Sequence, residues 1–143
     1  MLLQLLSEQE VQYCVENWGT KEDGAKTQPL SDSEDLKKNT ESPDMTPEVR
    51  QLVSTRIYNN PYIDSVVCPN KVSVNFYNEY EEGGFYKKHI DTFRAAPRSN
   101  NVYFDYGFSL GLSDEYEGGE FVLNNDVGEI SYTIGKGQLL IFP

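Results

Sequence analysis

Val11, Cys14, Val15 and Trp18 recur at helical spacing behind Ser7-Glu8-Gln9-Glu10, and Gly19 ends the run. Ser7 and Glu10 fit a capping box, with Leu6 and Val11 placed to close a hydrophobic staple over it. A first helix is therefore predicted over 8–17. A second starts at Thr46 as N-cap with Pro47 at the first helical position, where a missing N–H costs nothing. Val49, Leu52, Val53 and Ile57 line one face of it, and Asn59-Asn60-Pro61 ends it. Beyond residue 61 no helical period is expected. Val72, Val74 and Phe76 alternate with Ser73, Asn75 and Tyr77, the two-residue period of a half-buried strand. Further strands are predicted over 85–93, 102–112, 120–123, 129–134 and 138–142. They are punctuated by Gly83-Gly84, Asn124-Asn125-Asp126 and Gly135-Lys136-Gly137. The stretch 20–44 is polar, with Leu30 and Leu36 as its only large aliphatics, and reads as a long surface loop or a lid.

Two helices followed by short strands predict a mainly β fold with N-terminal helices, arranged as an antiparallel sandwich or jelly roll. No βαβ alternation occurs, which argues against a Rossmann-type sheet. One domain is expected over 1–143. Residues 1–61 would form a helical support carrying the polar loop 20–44, and 62–143 an incomplete jelly-roll core.

The chain has 143 residues, with 12 Lys+Arg against 23 Asp+Glu and a net charge of −11. So negative a chain lacks the basic patch that phosphates require, so neither nucleic acid nor an anionic membrane is an expected partner. Hydrophobic content of 38% is enough for a core. No apolar run approaches the ~20 residues that cross a bilayer. The opening Met1-Leu2-Leu3-Gln4-Leu5-Leu6 has no basic residue and soon meets Glu8 and Glu10, so it does not read as a signal peptide. Cys14 and Cys68 form no CxxC motif; they read as small buried side chains in a reducing, cytoplasmic setting.

His89 is the single histidine, and Asp91 follows two residues on. In a strand such residues share a face, about 6–7 Å apart at ~3.3 Å rise per residue. An imidazole nitrogen and a carboxylate oxygen launched this way can converge on one ion. That is two-thirds of the 2-His-1-carboxylate facial triad, which leaves open positions on Fe(II). A structural histidine bonded to a neighbouring carboxylate has the same appearance.

The surrounding frame is Tyr80-x-x-Gly83-x-x-Tyr86-x-x-His89-x-Asp91, then Ser109-Leu110-Gly111-Leu112-Ser113-Asp114, Tyr116-Glu117-Gly118-Gly119-Glu120-Phe121 and Gly137-x-Leu139-x-x-Phe142-Pro143. It resembles the Fe(II)/2-oxoglutarate dioxygenase superfamily in its prolyl-4-hydroxylase-like branch, and most of all the PKHD-type hydroxylases. The likeness is good over 72–143 and loose over 5–15. It implies a double-stranded β-helix, Fe(II), 2-oxoglutarate as cosubstrate, O2, and ascorbate as a supporting reductant. The implied reaction hydroxylates a small-molecule or peptide substrate, a peptidyl or free amino acid such as proline, with succinate and CO2 as co-products. Carried over by position, His89 and Asp91 become metal ligands. Tyr80, Tyr86 and Phe121 become cosubstrate-binding residues, and Gly118-Gly119 a corner of the barrel. Tyr80 and Tyr86 read equally as core aromatics, and Phe121 reads more readily as core than as pocket wall.

The family's third iron ligand, a second histidine, and the Arg or Lys that binds 2-oxoglutarate have no counterpart in this chain. Three readings stay open: a chain that continues past Pro143, a catalytically inactive jelly-roll binding module, or a substitute carboxylate such as Asp105 or Glu120. Strand 138–142 is expected to lack a partner on one edge, an aggregation liability. On that ground, with the family pattern, the C-terminal strands are expected to be missing and the chain to run on for another ~30–40 residues. A cupin-like metal site is not expected from a single histidine.

Overall fold

A computed structural model describes residues 1–27, 36–91 and 103–143. The predicted strand positions 92–93 and 102, together with Leu30, lie outside the described residues. The architecture is mixed helix and strand, with three α-helices and antiparallel sheets among the described residues. The chain divides into two compact units, Leu5–Lys88 and Met1–Gln4 with His89–Pro143.

In the first of these, α1 (Glu8–Glu16) starts as the sequence predicts. Ser7 Oγ accepts from the Glu10 N–H at 3.3 Å, and Glu10 Oε2 accepts from the Ser7 N–H at 2.9 Å. Leu6 and Val11, the two residues of the staple, are both buried. Helix α2 (Pro47–Tyr58) buries Val49, Val53 and Ile57, with Leu52 only half-buried. Thr46 leaves the cap unmade, because its Oγ1 donates instead to the Asn17 carbonyl at 2.6 Å. The expectation of no helix past residue 61 is corrected by α3 (Pro61–Val67). Asn60 both follows the end of α2 and caps α3: its Oδ1 accepts from the N–H groups of Tyr62 and Ile63 at 3.0 and 3.1 Å. Cys68 ends α3 in the left-handed region and is exposed, against expectation, whereas Cys14 is buried as expected; both thiols are free.

The polar stretch 20–44 is also corrected, since its described residues contain sheet. β2 (Glu22–Asp23) and β4 (Thr40–Ser42) pair antiparallel, β4 continues onto β5 (Tyr77–Glu79), and β3 (Lys37–Lys38) pairs with β6 (Phe85–Tyr86). Lys37, Glu41 and Ser42 are buried there. The alternation at 72–76 lies before β5 outside any ladder, because β4 offers a partner over only three residues, and the Val72 N–H donates instead to Tyr58 Oη at 2.9 Å.

In the second unit, β1 (Leu2–Gln4), β7 (Gly107–Leu110) and β10 (Gln138–Phe142) form a sheet in the order β1-β10-β7. β10 is therefore central, and the expectation of an unpaired edge on 138–142 is corrected: Leu140 pairs with Leu2 on one side and Ser109 on the other. The adjacent Leu139 and Leu140 point to opposite faces, yet both are 0% exposed, which explains a continuous apolar run in place of alternation. β8 (Phe121–Asn125) and β9 (Gly128–Tyr132) form a hairpin whose turn is held by Asn125 Oδ1, acceptor for the Val127 and Gly128 N–H groups. No helix among the described residues is long and apolar enough to cross a membrane.

Gly111 N–H donates to the Gln138 carbonyl, Gly111 O accepts from Gly137 N–H, and a β-carbon on Gly111 would strike the Gly135 carbonyl. Gly111→Ala is expected to cost about 1–3 kcal/mol and Leu140→Ala about 2–5 kcal/mol in denaturant unfolding. Exposed Val127→Ala, at 97% exposure, should fall within about 0.5 kcal/mol of wild type.

Candidate functional site

Among the described residues of the predicted strand 85–93, β6 ends at Tyr86 and the Lys87 N–H adds one bond to the Leu36 carbonyl at 2.8 Å, so His89 and Asp91 lie beyond the ladder. They nevertheless meet: His89 Nε2 is 3.1 Å from Asp91 Oδ1. The side chains are 30% and 65% exposed, so the pair is open to solvent. As a hydrogen bond this contact needs the proton on Nε2. As a pair of metal donors it needs the Nε2 lone pair free and the proton on Nδ1. Two donors on neighbouring positions of an octahedral ion with ~2.1 Å bonds lie ~3 Å apart, so the observed separation fits that use. The donor types, one imidazole nitrogen and one carboxylate oxygen, suit Fe(II). Among the described residues no group of three or more His, Cys, Asp or Glu side chains could hold a metal ion.

Phe121, in the same unit, stacks on Phe142 with ring centroids 5.0 Å apart. Phe142 faces Gly107 across β10 and β7, and a β-carbon on Gly107 would fall on its ring. The glycine thus admits the ring and the ring seats Phe121, a packing role that sequence reading also allowed. Gly118 and Gly119 both take positive φ, 76° and 70°, just before β8, a bend closed to residues with a β-carbon. Tyr116 Oη donates to the Ile134 carbonyl at 3.0 Å.

Tyr80 and Tyr86 belong to the other unit. Burial, then the charges of Glu41 and Tyr86, push the Tyr80 phenol up to about 12, while Asn39 pulls it the other way. Lys37 Nζ sits 5.2 Å from the centroid of the Tyr86 ring. Lys37 and Glu41 are the residues that sequence reading missed here; a polar stretch with no hydrophobic period gave no sign of their burial.

The chain resembles PKHD-type hydroxylases along most of its length. One from Idiomarina loihiensis is 33% identical over 124 residues, 85% of this chain and 55% of that protein. One from Aliarcobacter butzleri is 32% identical over 107 residues, 72% of this chain and 47% of the relative. One from Herminiimonas arsenicoxydans is 30% identical over 115 residues, 76% of this chain and 51% of the relative. A match covering 85% of the chain spans His89 and Asp91 wherever it starts. No family model matches the chain. These relatives support the PKHD-type branch of the 2-oxoglutarate and Fe(II) oxygenases as the family of this chain. It spans about half the length of the curated relatives it matches.

Because Tyr80 titrates above the ordinary 10.0, its contribution to stability is complete below that pH and is lost as pH rises through about 12. Tyr80→Phe should remove that part of the alkaline loss, measured as melting temperature against pH. His89→Ala, which removes a contact open to solvent, should shift the metal-free melting temperature by no more than about 2 °C.

Proposed function

We propose that the protein to which this chain belongs is an Fe(II)- and 2-oxoglutarate-dependent dioxygenase built on a double-stranded β-helix. It hydroxylates an unactivated C–H bond of a peptidyl or free amino acid of proline-like shape. The observation that supports this most is the meeting of His89 Nε2 and Asp91 Oδ1 at 3.1 Å, within a stretch related to PKHD-type hydroxylases. Substrate C–H, 2-oxoglutarate and O2 become the alcohol, succinate and CO2. Bound iron supplies the oxidising chemistry that links loss of CO2 to insertion of oxygen.

In this reading His89 presents Nε2 and holds its proton on Nδ1, Asp91 presents a carboxylate oxygen, and one further protein ligand completes a facial triad. Tyr80 and Tyr86 donate phenolic hydrogen bonds to a cosubstrate carboxylate. Phe121, braced by Phe142, walls the cosubstrate from water. A second reading is a catalytically inactive jelly-roll binding module that lacks a complete triad.

Fe(II)-dependent release of succinate from 2-oxoglutarate by the whole protein separates the two. Changes next to a ligand already cost about 10–100-fold, so His89→Ala and Asp91→Ala should each cost at least that. Turnover surviving in His89→Ala would remove the dioxygenase reading. Ligand binding without succinate, in wild type and variants alike, would favour the binding module.

A further inference from the structure

The unit Leu5–Lys88 buries an ion pair that the chemistry above leaves unused. Lys37 Nζ lies 2.5 Å from Glu41 Oε1, and the two side chains are only 3% and 5% exposed. Desolvating both charges is costly, so such a pair is weak evidence for stability and its placement invites another explanation. Glu41 Oε1 also accepts from Asn39 Nδ2 at 3.2 Å, and the same amide donates to Asn78 Oδ1 at 3.0 Å. The carboxylate is thereby held on the β2-β4-β5 sheet. Lys37 is on the other sheet, directly across β3 and β6 from Tyr86, with its ammonium 5.2 Å from that ring's centroid. The pair thus links the sheet carrying Tyr86 to the strand that leads into Tyr80.

We propose that Lys37 and Glu41 are positioning residues for Tyr86 and Tyr80. Glu41 pins the Lys37 ammonium over the face of Tyr86 and pairs, through β4, with the strand that leads into Tyr80, so the ion pair fixes the Tyr86 ring and the backbone that carries Tyr80 for binding a cosubstrate carboxylate. The inference rests on the dioxygenase reading for its ligand and on geometry alone for the positioning. A desolvated ammonium on a ring face restrains the ring more firmly than packing by itself. The groups that bear on the Tyr80 hydroxyl are Glu41 and Tyr86, which favour the protonated phenol, and Asn39, which opposes them.

The test uses Glu41→Gln, the neutral double variant Lys37→Met with Glu41→Gln, and Lys37→Arg. The double variant keeps volume without stranding a buried charge, so it carries the test even if Glu41→Gln fails to fold. Ultraviolet phenolate titration needs neither iron nor cosubstrate, and the Tyr80 step is the one lost in Tyr80→Phe. That step should fall by about one pH unit in both variants lacking the Glu41 carboxylate. Tyr86 ring resonances should shift in the double variant and stay near wild type in Lys37→Arg. Calorimetric binding of 2-oxoglutarate with Fe(II) should weaken about tenfold in the double variant and recover in Lys37→Arg. A folded double variant with the Tyr80 step and Tyr86 resonances unmoved would overturn the positioning role. If those readouts move but wild type binds no 2-oxoglutarate, the positioning stands and the cosubstrate assignment is overturned.

Discussion

Strand β10 is held on both edges, by β1 and by β7, and this double pairing organises the unit that carries His89 and Asp91. Backbone groups in the middle of an apolar strand need partners on each side, since water cannot serve them there. Residues 2–4 supply one side and 107–110 the other. The amino group of Met1 adds a bond to the Ile141 carbonyl at 2.6 Å, and Ile141 N–H returns one to Met1 O at 2.7 Å. The closure is made between residues nearly the whole chain apart, and it turns Leu139 and Leu140 into the best-buried pair of this sheet.

Local signals were legible where the physics is local. The capping box at Ser7 and Glu10 and the apolar face Val49, Val53 and Ile57 follow from short-range spacing, whereas the alternation over 72–76 formed no ladder and β5 begins only at Tyr77. Two readings failed for one reason, that a segment's role depends on a distant partner. Gln138 to Phe142 looked half-paired because nothing in Met1 to Leu6 announces a strand. Lys37, Glu41 and Ser42 looked solvated because their burial is set by β2, β5 and β6, not by their neighbours in sequence. Asn59-Asn60-Pro61 was misread differently, as a stop only, although a cap followed by proline is equally a start.

The candidate site divides the same way. The spacing of His89 and Asp91 placed the two donors on one side of an extended stretch, and their side chains meet although no ladder holds that stretch flat. Tyr80, Tyr86 and Phe121 came from resemblance, and the environments they occupy differ. Phe121 is braced by a ring on β10, whereas the two tyrosines are tied to a buried ion pair that no motif marks. Acidic composition is compatible with this arrangement, because among the described residues only Lys37 and Glu41 are buried charges and they neutralise each other.

His89 is the only histidine, so its imidazole nitrogens report on one residue without any assignment problem. Nitrogen NMR of the protein during anaerobic addition of Fe(II) asks directly whether that ring is a ligand. The account predicts that the Nε2 signal is shifted or broadened away at one equivalent of metal while Nδ1 keeps its proton, and that Asp91→Ala weakens the effect at least tenfold. An imidazole spectrum indifferent to Fe(II), with the Nε2 proton still bonded to Asp91, would contradict it.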